Sequence, residues 1–80
     1  MSAAEAQEVK KLLLRSNEHY RELSERHHQL DDRLHHLTGL PYLTDAEQVE
    51  EVTLKKRKLA LKDQMEQMAL EYARLHFQAS

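Results

Sequence analysis

Histidine and aspartate side chains cluster in the first half of the sequence. His28, Asp32 and His35 follow one another at steps of four and three residues, with Asp31 and His36 beside them. On a helix, this spacing brings side chains on adjacent turns close together, and imidazole with carboxylate is a ligand set for Zn²⁺ or Ni²⁺. The alternative is a solvated helix face with local His–Asp pairs. We favour this alternative because the HExxH spacing of zinc hydrolases is absent, and we predict no metal or other cofactor.

Basic residues form a second cluster, the run from Lys55 to Lys58 followed by Lys62. Lysines in such a segment could contact nucleic-acid phosphates. Consecutive helical residues are about 100° apart, however, so we expect these cations to scatter around the helix axis. Glu51 and Glu66 lie four residues from Lys55 and Lys62, respectively, within reach of ion pairs. We therefore favour solvated or paired lysines, with nucleic-acid binding as the alternative.

Composition indicates that helices position both clusters. The chain has 80 residues with one glycine, one proline and no cysteine, and its net charge is −2. Helix-forming residues dominate such a sequence, and a chain without cysteine has no disulfide framework and fits a reducing compartment. Its longest apolar run, Leu12 to Leu14, is far shorter than the roughly 20 residues of a membrane span. We expect a cytoplasmic protein that does not enter the membrane, and the net charge provides no overall attraction to nucleic acid.

The first helix is predicted from a cap and a periodic pattern. Ser2 and Glu5 have the spacing of a capping box, which places the helix start near residue 3. Residues at alternating steps of four and three then form one stripe. The stripe consists of Val9, Leu13, Ser16, Tyr20, Leu23, His27, Leu30, Leu34 and Leu37.

The chain is predicted to reverse direction around its glycine and its proline. Gly39 suits a left-handed helix cap, and Pro41 cannot continue a helix. Thr44 and Glu47 repeat the capping-box spacing, so a second helix begins at about residue 45. We therefore predict an all-α, antiparallel, coiled-coil-like two-helix hairpin. It forms a single domain over residues 1–80, with helix 1 at about 3–38, a turn at 39–43 and helix 2 at about 45–77.

The second helix has two apolar faces, which one partner helix cannot cover. The face that continues to Leu75 is assigned to the hairpin seam, although the sequence alone does not decide between the two faces. The predicted seam comprises Leu13, Tyr20, Leu23, His27, Leu30, Leu34, Leu54, Leu61, Met65, Met68 and Tyr72. The opposite face is assigned to an oligomer contact and comprises Val49, Val52, Leu59, Leu70 and Phe77. Covering it by a second copy predicts a two-fold dimer that forms a helical bundle.

Two sequence segments resemble a known family. Residues 55–65 read KKRKLALKDQM, and residues 27–34 read HxxLDxxL after Tyr20 and Leu23. Together they resemble the YdcH-like family of small bacterial proteins, a domain of unknown function built as a helical hairpin. The resemblance spans roughly residues 14–74. It implies the hairpin and a bacterial cytoplasmic setting, and it brings no established activity, substrate or cofactor.

Three hypotheses for function follow. The first is a non-enzymatic helical interaction module that associates with itself and with an unidentified protein partner. The second is a nucleic-acid-associated protein that uses Lys55 to Lys62, and the third is a His/Asp metal-binding protein. We expect no catalysis, because a two-helix hairpin offers little concave surface from which to exclude water. Within the hairpin, Asp31 is predicted to pair with Lys55 and to fix the register of the two helices.

Overall fold

The computed structural model describes residues 2–76 and contains three α-helices in that range. They are α1 (Ala3–Ser16), α2 (Glu18–Thr38) and α3 (Asp45–His76). No β-strand occurs in the described part of the chain, so the predicted all-α class is confirmed. The helices α2 and α3 lie antiparallel as a hairpin, and α1 packs against the end of that hairpin far from the turn. The two-helix prediction is therefore wrong in one respect, because the first helix is divided.

The division falls at Asn17, whose backbone is extended (φ −124°, ψ 110°). The Asn17 N–H donates to the Leu13 carbonyl at 2.8 Å and ends α1. Its side-chain Oδ1 accepts a hydrogen bond from the Tyr20 amide at 2.9 Å and begins α2. Asparagine is among the best helix N-caps, because its side chain satisfies an amide that has no partner within the helix. One residue thus closes one helix and opens the next, which corrects the continuous helix predicted over 3–38.

Both helix starts predicted from capping boxes are confirmed. At α1, Ser2 Oγ accepts a hydrogen bond from the Glu5 amide at 3.2 Å. At α3, the Thr44 amide donates to Glu47 Oε1 at 2.9 Å, and the Glu47 amide donates to Thr44 Oγ1 at 3.1 Å. The hydrogen bonds from Thr44 to the Glu47 carboxylate lower the pKa of Glu47 below its usual value. The two α3 bonds form the reciprocal pair that defines a capping box.

The predicted left-handed cap at Gly39 is wrong. Gly39 has φ −81° and ψ −8°, which is right-handed backbone. Its N–H donates to the His35 carbonyl at 3.1 Å, and the Leu40 N–H donates to the Leu37 carbonyl at 3.2 Å. The last turn of α2 is therefore tighter than an α-helical turn, because the hydrogen bond from Leu40 to Leu37 spans three residues and not four. A final turn of this kind is a common helix ending. Chain reversal is then completed by residues 40–44, which include Pro41.

Most buried apolar side chains form two separate clusters, and Leu23 is buried outside both. The turn core lies near the chain reversal and contains three buried leucines, Leu34, Leu37 and Leu54. The half-buried side chains of Leu30, Leu40 and Leu43 pack against it. The terminal core joins α1, the start of α2 and the last turns of α3, with Met65, Met68 and Tyr72 against it. Its buried members are Val9, Leu13, Tyr20, Ala69 and Ala73. The break at Asn17 is what lets α1 contribute to this second core.

Two residues of the predicted stripes are exposed. Ser16 is exposed, and its Oγ donates to the Leu12 carbonyl at 2.7 Å, so it contributes to the end of α1. Leu75 is 59% exposed, which corrects its assignment to the seam side of the second helix. Ala73 takes the place nearest to α1 in that last turn, because it is small enough for the helices to approach closely. The predicted end of the second helix at Phe77 lies outside the described residues.

Candidate interaction surface

The side of α3 that faces away from α2 is apolar and exposed. Four large side chains on it keep between 52% and 67% of their surface accessible: Val49, Val52, Leu59 and Leu70. We call this set the outward face. It lies opposite Leu54, which is 8% exposed, because side chains two residues apart on a helix differ by about 200° in direction. These four residues belong to the predicted oligomer face, whose fifth member, Phe77, lies outside the described residues.

Charged side chains interrupt the outward face. Lys56 lies four residues after Val52 and three before Leu59, and Asp63 lies four residues after Leu59 and seven before Leu70. Both charged residues are exposed. None of the helices in the described range 2–76 combines the length and the hydrophobicity that a membrane span requires.

The side chains predicted for the hairpin seam lie on the inner sides of the helices with different degrees of burial. The buried ones are Leu13, Tyr20, Leu23, Leu34 and Leu54. The half-buried ones are His27, Leu30, Leu61, Met65, Met68 and Tyr72. Burial raises the pKa of the Tyr20 hydroxyl above its usual value. The middle of the hairpin, where His27, Leu30 and Leu61 lie, is thus less tightly packed than its two ends.

Asp31 makes an ion pair across the hairpin, but its partner is Lys58. The predicted Asp31–Lys55 pair is wrong, because Lys55 pairs within its own helix with Glu51 at 3.4 Å. The physical reason is the direction of each lysine. Lys58 follows Leu54 by one helical turn and continues the side that faces α2, whereas Lys55 is rotated by about 100° from Leu54. The hydrogen bond from Lys58 lowers the pKa of the Asp31 carboxyl below its usual value.

Sequence reasoning missed a second ion pair across the hairpin. Arg33 Nη2 donates to Glu50 Oε1 at 2.7 Å, and Arg33 Nε lies 3.2 Å and 3.3 Å from the two carboxylate oxygens. This fork geometry holds arginine and carboxylate in a fixed relative orientation. It also raises the pKa of the guanidinium above its usual value. The pair lies near the turn: Arg33 is eight residues before Pro41, and Glu50 is eight residues after Tyr42. Its signal in the sequence was therefore two opposite charges at equal distances from the turn.

An open groove beside the hairpin brings three lysines together, namely Lys55, Lys58 and Lys62. Their spacing of three and four residues places them on one flank of α3, so the predicted scattering of the basic run around the axis is wrong for these three. Two of them are already paired within the chain, Lys55 with Glu51 and Lys58 with Asp31. The groove is therefore less positive than its lysines alone would make it.

The candidate metal ligands lie in two separate pairs. His28 Nε2 is 3.8 Å from Asp32 Oδ2, and His35 Nδ1 is 3.6 Å from Asp31 Oδ2. His35 Nδ1 also lies 2.8 Å from the Asp31 carbonyl oxygen, so a main-chain contact already engages this ring nitrogen. Among the described residues, no group of three or more His, Asp or Glu side chains is arranged to hold a metal ion.

Ala69 and Ala73 were not singled out from the sequence, yet they are buried where α1 meets α3. Their signal was a spacing of four residues, which places two small side chains on one face of α3. Small side chains let two helices approach closely, so these alanines mark where a third helix can pack.

Comparison with known proteins gives one match. A family model described as "Protein of unknown function (DUF465)" matches residues 21–69. The match covers nearly all of α2, the turn and most of α3, and it leaves out α1. No curated protein and no solved structure matches the chain.

Proposed function

The chain belongs to the DUF465 family of proteins of unknown function, as its YdcH-like sequence segments indicated, and we propose that it is a non-enzymatic helical module that self-associates through the outward face of α3. Two copies cover this face on each other and form a helical bundle with α3 at its centre. The hairpin and the terminal core supply the rigid support for that face.

The observation that carries the proposal is the exposure of the outward face. Val49, Val52, Leu59 and Leu70 each leave more than half of their surface accessible. Burying one such side chain is worth about 1.5–3 kcal/mol. Exposed apolar residues that share one side of a helix at heptad-like spacing are typical of surfaces that bind another helix. A second copy supplies an identical surface, which is the simplest way to cover the face.

The perturbed titrating groups support a structural role for the polar side chains. The pKa of Asp31 is lowered chiefly by its hydrogen bond from Lys58, and that of Arg33 is raised chiefly by its hydrogen bond to Glu50. The pKa of Glu47 is lowered by the cap at Thr44. Each of these shifts is accounted for by a contact that holds two helices together or starts a helix. In an enzyme, such shifts would instead point into a shared cavity.

Sedimentation velocity tests the proposal. At tens of micromolar, we expect a species about twice the 9.5 kDa mass of one chain. Leu59→Glu places a charge in the outward face, so it should dissociate the dimer while circular dichroism still reports helix. Gln64→Glu is the matched control, because it adds the same charge at an exposed position away from the outward face and should leave the mass unchanged. A wild-type chain that sediments as a monomer would refute the proposal.

The lysine groove favours nucleic-acid binding as the second candidate. In that case, Lys62→Glu should weaken binding of a labelled DNA duplex, and the wild-type affinity should fall steeply as salt rises, because counterions are released. Under our proposal, the duplex does not bind appreciably at physiological salt. Leu70→Glu separates the two candidates, since Leu70 belongs to the outward face and does not line the lysine groove.

A further inference from the structure

We infer that the two copies pair with their α3 helices antiparallel, centred near residue 60, so that Lys56 of each copy faces the acidic residues Asp63 and Glu66 of the other. This inference rests on the self-association proposed above and specifies its geometry. It assigns the charged residues of the outward face a role in orienting the partner.

Between Val52 and Leu70, the charges on this side of α3 are separated by sign. Lys56 lies in the first half of the helix, and Asp63 and Glu66 lie in the second half. All three side chains are exposed, and none of them makes an ion pair with another residue in the range 2–76. Lys56 and Asp63 are about 10.5 Å apart along the axis at 1.5 Å per residue, which is too far for a direct pair within one helix. Their charges are therefore available to a partner.

A parallel arrangement would oppose like charges. It would place Lys56 beside Lys56 of the second copy and Asp63 beside its own equivalent, and like charges brought together in a helical interface are unfavourable. An antiparallel arrangement inverts the order of one helix. The two-fold axis of this arrangement then passes midway between the paired residues. It lies between residues 59 and 60 if Lys56 pairs with Asp63, and at residue 61 if Lys56 pairs with Glu66.

The same centre also matches the apolar residues. With the midpoint between residues 59 and 61, Leu70 of one copy lies at the level of Val49 and Val52 of the other. Leu59 lies near the two-fold axis, where it approaches its own equivalent. The apolar ends and the charged middle of the outward face are therefore complementary in a single antiparallel register. Such complementarity selects orientation more than it adds affinity.

Engineered single cysteines test the orientation, because the natural sequence has none. Ala60→Cys lies at the proposed centre and should be cross-linked to its own copy by a short bifunctional maleimide. Val49→Cys lies about 11 residues from the centre, so two copies of it should be about 33 Å apart and should not be cross-linked to each other. Mixed with Leu70→Cys, Val49→Cys should form the mixed product.

Charge reversal gives an independent readout of the same geometry. Lys56→Glu and Asp63→Lys should each weaken association roughly tenfold, since each converts attractive cross-chain contacts to repulsive ones twice per dimer. The triple variant Lys56→Glu/Asp63→Lys/Glu66→Lys inverts every charge of the proposed contacts and should restore the wild-type affinity. In a parallel dimer, both single variants would exchange one like-charge contact for another and would leave the affinity unchanged.

The two proposals fail in different ways. A monomeric wild-type chain would overturn self-association and with it this inference. A dimer in which Val49→Cys is cross-linked to its own copy, or in which the triple charge reversal does not restore affinity, would overturn the antiparallel pairing alone.

Discussion

Replacing Asn17 tests the break that separates α1 from α2. Asn17→Ala removes the Oδ1 acceptor of the Tyr20 amide, a bond of 2.9 Å in a partly buried position. Loss of an asparagine N-cap costs about 1 kcal/mol, within a range of about 0.5–2 kcal/mol. The partial burial of the amide places our estimate at about 1–2 kcal/mol, because an unsatisfied donor away from water is costly. For a domain of this size, each kcal/mol lowers the melting temperature by about 4–8 °C.

The measurement is thermal and urea unfolding followed by circular dichroism, at one fixed protein concentration because self-association makes the midpoint concentration-dependent. Asn17→Asp is the matched control, since aspartate caps a helix about as well as asparagine. It should stay within a few tenths of a kcal/mol of wild type. An Asn17→Ala chain as stable as wild type would show that the break does not depend on this cap. Equal losses in both variants would show that the side-chain oxygen is not what matters.

Three further predictions concern packing and charge. Ala73→Leu overfills the contact between α1 and α3 and should cost about 1–3 kcal/mol in the free energy of unfolding, measured by urea denaturation; unchanged stability would contradict close packing there. Lys58 lowers the pKa of Asp31 in the folded chain below its ordinary value of 3.8. The pair therefore stabilises the folded state above pH 3.8, and this stabilisation is lost as the pH falls through the lower pKa of the folded chain. Asp31→Asn should therefore flatten the acid side of the stability–pH curve, and an unchanged curve would exclude the pair as a contributor. Arg33→Glu should lower the melting temperature, and the double variant Arg33→Glu/Glu50→Arg should recover most of the loss. If the double variant recovers nothing, the Arg33–Glu50 pair contributes through packing and not through its charges.

Much of the fold could be predicted because local chemistry and global packing agree. Ser2 and Thr44 start helices through side-chain hydrogen bonds that depend on residues three positions away. The apolar stripe of the first helix reports its buried side, and burial follows it at Leu13, Tyr20 and Leu34. Such signals are short in range and are legible in one sequence.

The break at Asn17 could not be predicted because the apolar stripe continues in phase across it. Leu13 and Tyr20 are seven residues apart, the spacing of an unbroken helix, and the residue three positions after Asn17 is a tyrosine, not the glutamate or glutamine of a capping box. Besides the Asn17 cap, the packing of α1 on Ala69 and Ala73 stabilises the break. Alanine is compatible with any side of a helix, so the sequence did not reveal that contact.

The candidate surface was partly predictable for a related reason. Residues exposed on the outward face follow from helical periodicity once the inner face is known. The partner of Asp31 could not be predicted in this way, because long lysine side chains reach along the helix axis. Whether Lys55 or Lys58 meets Asp31 depends on how α3 is rotated about its own axis. The groove lysines show the same effect, since Lys55, Lys58 and Lys62 align through their spacing of three and four residues and not through the run of consecutive basic residues.

The two separate cores also determine how the molecule should open. Local unfolding proceeds in cooperative units that coincide with contiguous packed regions. The turn core needs only α2 and α3, whereas the terminal core is completed by Val9 and Leu13 from α1. Transient release of α1 would expose Ala69, Ala73 and Tyr20 but would leave the leucines near the turn protected. Amide hydrogen exchange should therefore report two levels of protection, faster in α1 and in the last turns of α3 and slower around Leu37 and Leu54.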